Sequence, residues 1–296
     1  MAVMTPIIFR TIISSLTGLM FLLGAPAQAA ASKTSSKINV ASAQIALGHK
    51  LIGAICLAES GITPNIQKTE IKHIRDSIDT TLNAMINGDE TLGIAAETDS
   101  TTQTHLSSIQ KVWKPLRTKV DFYLSGEPHT VKQVTKLSFK ADSLQKLWAN
   151  IISRYELKSS VNEGQHSLNS SRQFKVAGNQ DTLIQKSSKL ACLIHLNGGP
   201  EAAKHQLAQL QETLPALEIS TFGLAFSDPK LQLVEPPTDE IQSINFNNWQ
   251  DWVAASYLFE EVVAGTMDEE ELRDLANNAN FLSQSYQTAM DLYTKL

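Results

Sequence analysis

Apolar side chains recur every three or four residues through most of the chain. Ile71, Ile74, Ile78, Leu82 and Met85 form one such row, and Ile109, Trp113, Leu116, Val120 and Leu124 form another. Val131, Val134 and Leu137 lead into Leu144, Trp148 and Ile151, and Leu207, Leu210, Leu214 and Leu217 repeat the pattern further on. This is the period of helices that bury one face. No convincing run alternates with period two, so no strand is expected. Asn87-Gly88 reads as a helix stop, and Gly198-Gly199-Pro200 separates two helices. The spacing predicts helices over 38–60, 64–87, 103–125 and 130–157. Four more are expected over 174–197, 200–218, 238–264 and 268–295, with longer loops at 88–102 and 218–237. The fold class is therefore all-α.

The pattern also repeats itself. Gln44 falls on Gln180, Leu47 on Leu183, Lys50 on Lys186, Cys56 on Cys192 and Trp113 on Trp249, each 136 residues apart. Near the ends of the two units, Leu144 and Tyr155 resemble Leu282 and Tyr293 with a small shift. The chain holds only 2 Cys and 4 Trp, so their recurrence in register is a poor match for chance. The expected organisation is two homologous units, 36–157 and 172–296, joined by a polar Ser/Asn-rich linker at 158–171. Four amphipathic helices with short connections close naturally into an antiparallel four-helix bundle, so two tandem bundles are predicted.

Residues 1–31 read as a cleaved signal peptide. Arg10 is their only charged side chain, an apolar stretch runs from Thr11 to Gly24, and Ala25-Pro26-Ala27 and Ala27-Gln28-Ala29 are small-x-small cleavage options. The apolar core is short for a membrane span, which needs about 20 residues. No later stretch looks long and apolar enough to cross a membrane. The expectation is an exported, periplasmic protein.

Composition sharpens this outline by exclusion. The chain has 296 residues, with 42% hydrophobic and 19% charged, which suits a globular protein. A net charge of -5 argues against a nucleic-acid binder. Without Arg10 the count becomes 24 basic against 30 acidic residues, a net charge of -6. No nucleophile elbow, P-loop or dinucleotide fingerprint is present, so the reading is non-enzymatic and needs no cofactor. The seven histidines are scattered with no pair at helical zinc spacing, so no metal site is expected. Glu260-Glu261 and Asp268-Glu269-Glu270-Glu271 form an acidic patch that reads as a solvated helix start with Thr266 as a cap. The tryptophans sit at helical spacing among aliphatic residues and read as core.

The stretch Ile38 to Lys50, with Asn39-Val40-Ala41 and Gln44, resembles the first helix of the PilJ-type sensor domain, the extracytoplasmic module of type IV pili chemotaxis transducers. Thr81-Leu82-Asn83-Ala84-Met85-Ile86-Asn87-Gly88 with Leu92-Gly93-Ile94, and then Val112-Trp113-Lys114-Pro115-Leu116-Arg117, continue the likeness in family order. The resemblance covers most of the first unit and is fainter in the second. Nitrate-responsive kinases carry a similar module. The family's two arginines, however, fall on Ala43 and Ile45, and in the second unit on Asn179 and Asp181. An aliphatic group supplies no fork of donors and a carboxylate repels anions, so nitrate capture is not expected to carry over. Lys50 and Lys186 keep the family's third basic position.

The resemblance implies pairing of the first helices, here within one chain. Gln44, Lys50, Gln180 and Lys186 are then the candidate ligand-binding residues, lining a shared pocket for a small solute or anion. Their alternative reading is ordinary polar helix surface. Under the same pairing, Cys56 and Cys192 meet across a pseudo-twofold axis. Three readings stay open for them: a disulfide, two small buried core residues, or a redox or metal role. Family members usually continue into a transmembrane helix and an output module, and this sequence holds neither. The expected function is an exported sensor-like binding protein for a small solute or partner protein, signalling through a membrane-bound transducer or kinase. The alternative is an envelope structural or adaptor protein that has lost the ancestral ligand site.

Overall fold

A computed structural model describes the backbone of residues 25–160 and 165–295, and the side chains of 37–157 and 172–295. Residues 1–24, the body of the expected leader, lie outside the described residues. The described chain is all-α. It forms α1 (Ala25–Glu59), α2 (Pro64–Asn87), α3 (Ser100–Leu124), α4 (Val131–Ser160), α5 (Gln165–Leu196), α6 (Lys204–Phe226), α7 (Asp239–Ala264) and α8 (Glu269–Tyr293). Among these residues the only β pairing is an isolated bridge between Asp89 and Ile94.

Local chemistry explains several boundaries. Pro64 occupies the first turn of α2, where its missing N–H is not needed, and Gly88 ends the helix with φ 82°. The Asp99 carboxylate accepts from the Thr102 N–H and caps α3. Gly265 closes α7 in the left-handed region. Asp268 and Glu271 form a reciprocal capping box at the start of α8. The cap is therefore Asp268, not Thr266. Thr266 instead donates from its hydroxyl to Glu261.

Three expectations are corrected. The segment 158–171 was expected as a linker, yet α4 runs to Ser160 and α5 begins at Gln165, so most of it is helical backbone. Its serines and asparagines tolerate a helix, and it contains no proline. Helix α6 continues past 218 to Phe226, because Leu217, Thr221 and Leu224 keep the buried period going. Finally, Lys37–Glu59 is long and apolar enough to cross a membrane, with mean hydropathy 1.5. Its apolarity is that of a central helix: α1 packs against α2, α4 and α5 at once.

Within each half the helices contact one another in sequence. Helices α2 and α4 both touch α1 and α3, and α6 and α8 both touch α5 and α7. The halves meet chiefly along α1 and α5. One hydrophobic cluster spans α1 to α4 and takes in Cys192, Leu193, Leu272 and Ala276 from the second half. A second cluster joins α5 to α8 through Leu210, Leu217, Trp252 and Leu282. Trp113, Trp148 and Trp252 are buried, while Trp249 is only half-buried.

The seam between α1 and α5 runs in parallel register. Cys56 is disulfide-bonded to Cys192, with Cα atoms 6.1 Å apart. Three residues earlier, a Cβ on Gly53 would sit 3.7 Å from the Lys189 Cα. Both pairs are 136 residues apart, and a constant difference along two helices means that they run the same way. At these two positions the seam sets a residue of α1 against the one 136 positions later on α5.

Candidate functional site

The parallel seam brings polar side chains into the interior. Gly53 carries no side chain, and Lys189 stands opposite it at the matching position. The Lys189 ammonium is fully buried and donates to Asp142 of α4 at 2.7 Å. This ion pair crosses from the second half to the first. One turn before Gly53, His49 is also buried, and its Nδ1 lies 4.0 Å from the same Asp142 oxygen. Burial, then the charges of Lys189 and Lys186, hold the His49 imidazole well below the ordinary histidine range. The ring is therefore neutral at pH 7. Burial also lowers Lys189, while Asp142 opposes that shift.

Several buried polar atoms on these two helices have no hydrogen-bond partner among the described residues. They are Gln44 Oε1, Gln185 Nε2 and Ser187 Oγ, while the buried His49 ring has the Gln145 side chain as its hydrogen-bonding neighbour. His49 and Gln185 are counterparts in the repeat. Leaving such groups unmet costs about 1–3 kcal/mol each, so a folded protein rarely carries a concentration of them without cause.

The four residues singled out from sequence sit differently. Gln44 is buried in α1. Lys50 pairs with Glu70 of α2 at 2.7 Å. Gln180 donates to the Val176 carbonyl and the Ser220 hydroxyl, and accepts from Thr221, so its amide is satisfied within its own half. Lys186 is half-buried and forms no ion pair among the described residues. Its charge acts on both His49 and Lys189. Asp181 is buried and accepts from Ser283 at 2.6 Å and Gln287 at 2.9 Å. Burial raises its carboxyl above the usual range, and these two hydrogen bonds work against the shift.

Three residues of this cluster escaped the sequence reading: His49, Asp142 and Lys189. The repeat held a signal for one of them, since Lys189 lies 136 residues after a glycine. Asp142 comes from a third helix, and no local pattern links it to the seam.

Two cavities lie elsewhere. One of about 390 Å³ opens between α2 and α3 beside Asp79, Trp113, Lys114 and Arg117. There the Trp113 indole N–H donates to Asp79 at 2.6 Å, and Arg117 holds the other oxygen of the same carboxylate. The second, about 230 Å³, lies near Gly198, Gly199 and Gly265. Among the described residues no group of three His, Cys, Asp or Glu side chains is placed to hold a metal ion. No family model matches the chain, and no curated protein matches it.

Proposed function

We propose that the chain is an exported, non-enzymatic, sensor-like binding protein that holds a small polar or anionic solute in the seam between α1 and α5. In this reading, residues 36–157 and 172–296 are two tandem antiparallel four-helix bundles of PilJ type. They pair through their first helices inside one polypeptide. The observation that carries the proposal is the set of unpartnered buried polar atoms on the paired stretch, Gln44 Oε1, Gln185 Nε2 and Ser187 Oγ, beside the buried neutral His49 ring. A small solute supplies the missing donors and acceptors, and Lys186 supplies a cation without an ion-pair partner among the described residues. The seam is closed, so entry requires α1 and α5 to part locally. A transducer or kinase partner in the membrane reads the change.

The test is a thermal-shift screen against nitrate, nitrite, other oxyanions and small polar metabolites. A ligand at 100 times its dissociation constant adds about 2.7 kcal/mol of stability. The expected result is an upward shift for at least one member that Lys186→Met diminishes. No shift across the panel overturns the solute reading.

A second reading, an envelope adaptor, is favoured by one observation. Phe222, Phe226 and Phe246 are 41–46% exposed and adjacent on α6 and α7, a contiguous apolar patch of the kind that marks an interaction surface.

A further inference from the structure

The outward face of α6 and α7 differs in kind from its counterpart in the first half. On α6, Ile219, Phe222 and Phe226 follow one another at helical spacing, each more than 40% exposed. On α7, Phe246 and Val253 do the same around the half-buried Trp249. The rings touch across the groove: Phe222 lies 5.2 Å from Trp249, and Phe226 lies 5.8 Å from Phe246. Phe222, Phe226 and Phe246 keep 41–46% of their surface open. At the repeat spacing, Phe246 and Val253 stand where the first half has Gln110 and Arg117. At these two positions one face is apolar and its counterpart polar, although Ile66 and Phe122 are also exposed on α2 and α3.

Charge divides the same way. Helices α6 and α7 carry one basic residue, Lys204, against seven acidic ones, a net charge of −6. Glu218 lies one turn before Phe222, and Glu260 lies two turns after Val253. Helices α2 and α3 carry seven basic residues against four acidic ones, a net charge of +3. Lys111 and Lys114 are exposed there and form no ion pair among the described residues. Lys114 also borders the 390 Å³ cavity, beside the buried Leu82 and Trp113.

We propose that the α6/α7 face of one copy docks on the α2/α3 face of a second copy, seating an aromatic side chain in that cavity. Acidic flanks then meet lysines while the apolar groove leaves water. The symmetric alternative, α6/α7 against itself, sets −6 against −6. The area suffices: α6 has 23 residues and α7 has 26, so at 1.5 Å per residue each is about 35–39 Å long. With axes about 10 Å apart, the pair presents roughly 700 Å², near the ~800 Å² per partner of a stable interface. The two faces are different surfaces of one chain, so the contact is heterologous and adds copies head to tail.

The experiment is sedimentation velocity on the mature protein over a concentration series. Expected is a mass that rises with concentration and falls back as salt screens the charges. Phe222→Ser/Phe226→Ser is expected to remain one chain at all concentrations. So are Glu218→Lys/Glu260→Lys, which spoils only the acidic face, and Lys111→Glu/Lys114→Glu, which spoils only the basic face. Mixing the last two sets opposite charges against each other at both contacts, the native one and its reversed copy, so the mixture is expected to associate again where each variant alone does not. Wild-type protein that stays a single chain overturns the proposal, whether or not any variant folds. Continued association of the Phe222/Phe226 variant overturns it as well. An association that Lys111→Glu/Lys114→Glu leaves intact does not use the α2/α3 face, and also overturns it. None of these outcomes bears on the solute seam.

Discussion

At the scale of single residues, the seam is governed by what burial does to charge. Lys189 is fully buried and its partner Asp142 is on α4. Removing the anion strands a fully buried ammonium, whereas removing the cation leaves a carboxylate that is 22% exposed and reaches water. Asp142→Asn is therefore expected to destabilise by about 3–5 kcal/mol, and Lys189→Met by clearly less. Denaturant unfolding of both variants checks the order, and equal losses would refute it. His49 gives a pH test. Its folded pKa is depressed below the ordinary 6.5. Below that pH the unfolded chain takes a proton that the folded chain refuses, so stability is present above about 6.5 and falls as pH drops. His49→Gln, which copies its counterpart Gln185, is expected to flatten that fall. Melting curves from pH 7.5 to pH 5 measure it; an unchanged slope would exonerate His49.

At the scale of elements, one glycine sets how closely α1 and α5 approach. A Cβ at Gly53 meets Lys189 atoms at 3.7–3.9 Å, which is ordinary contact. Gly53→Ala is thus accommodated, and its better helix propensity favours the fold by about 0.5–1 kcal/mol. Gly53→Leu must push α5 away and is expected to destabilise by about 1–3 kcal/mol. A pair of melting temperatures, one raised and one lowered, is the check; a destabilised Gly53→Ala would mean a tighter seam than this one. The helix ends make a smaller claim. Asp268 receives the Glu270 and Glu271 N–H groups at 2.9 Å, so Asp268→Ala costs about 1 kcal/mol.

At the scale of the molecule, the disulfide ties the two halves together. It closes a loop of 136 residues, worth about 5 kcal/mol in the chain-entropy model. Reduction is expected to lower the midpoint of unfolding, and unreduced, unfolded protein is expected to show no titratable thiol. Two free thiols would remove the cross-link from this account. The seam needs such a tie because it is polar: His49, Gln185, Lys189 and Asp142 displace aliphatic contacts that would otherwise hold α1 to α5.

The sequence by itself determined the helices and their repeat. Period-3.6 burial follows from the order of side chains along one helix, so α2 was legible to the residue, and Cys56 and Cys192 were legible as one position seen twice. It put the cap of α8 on Thr266, where Asp268 and Glu271 form the capping box instead. Only the tertiary structure decided what each interior polar group meets. Lys50 turns to Glu70 on α2, Gln180 to Ser220 and Thr221 on α6, and Lys189 to Asp142 on α4. Those partners are dozens of residues apart, and a helical period says which face a residue occupies, not which neighbour stands opposite it. The aromatic face of α6 and α7 was hidden for the same reason. Its spacing is that of a core, and only the packing shows that it stays partly exposed.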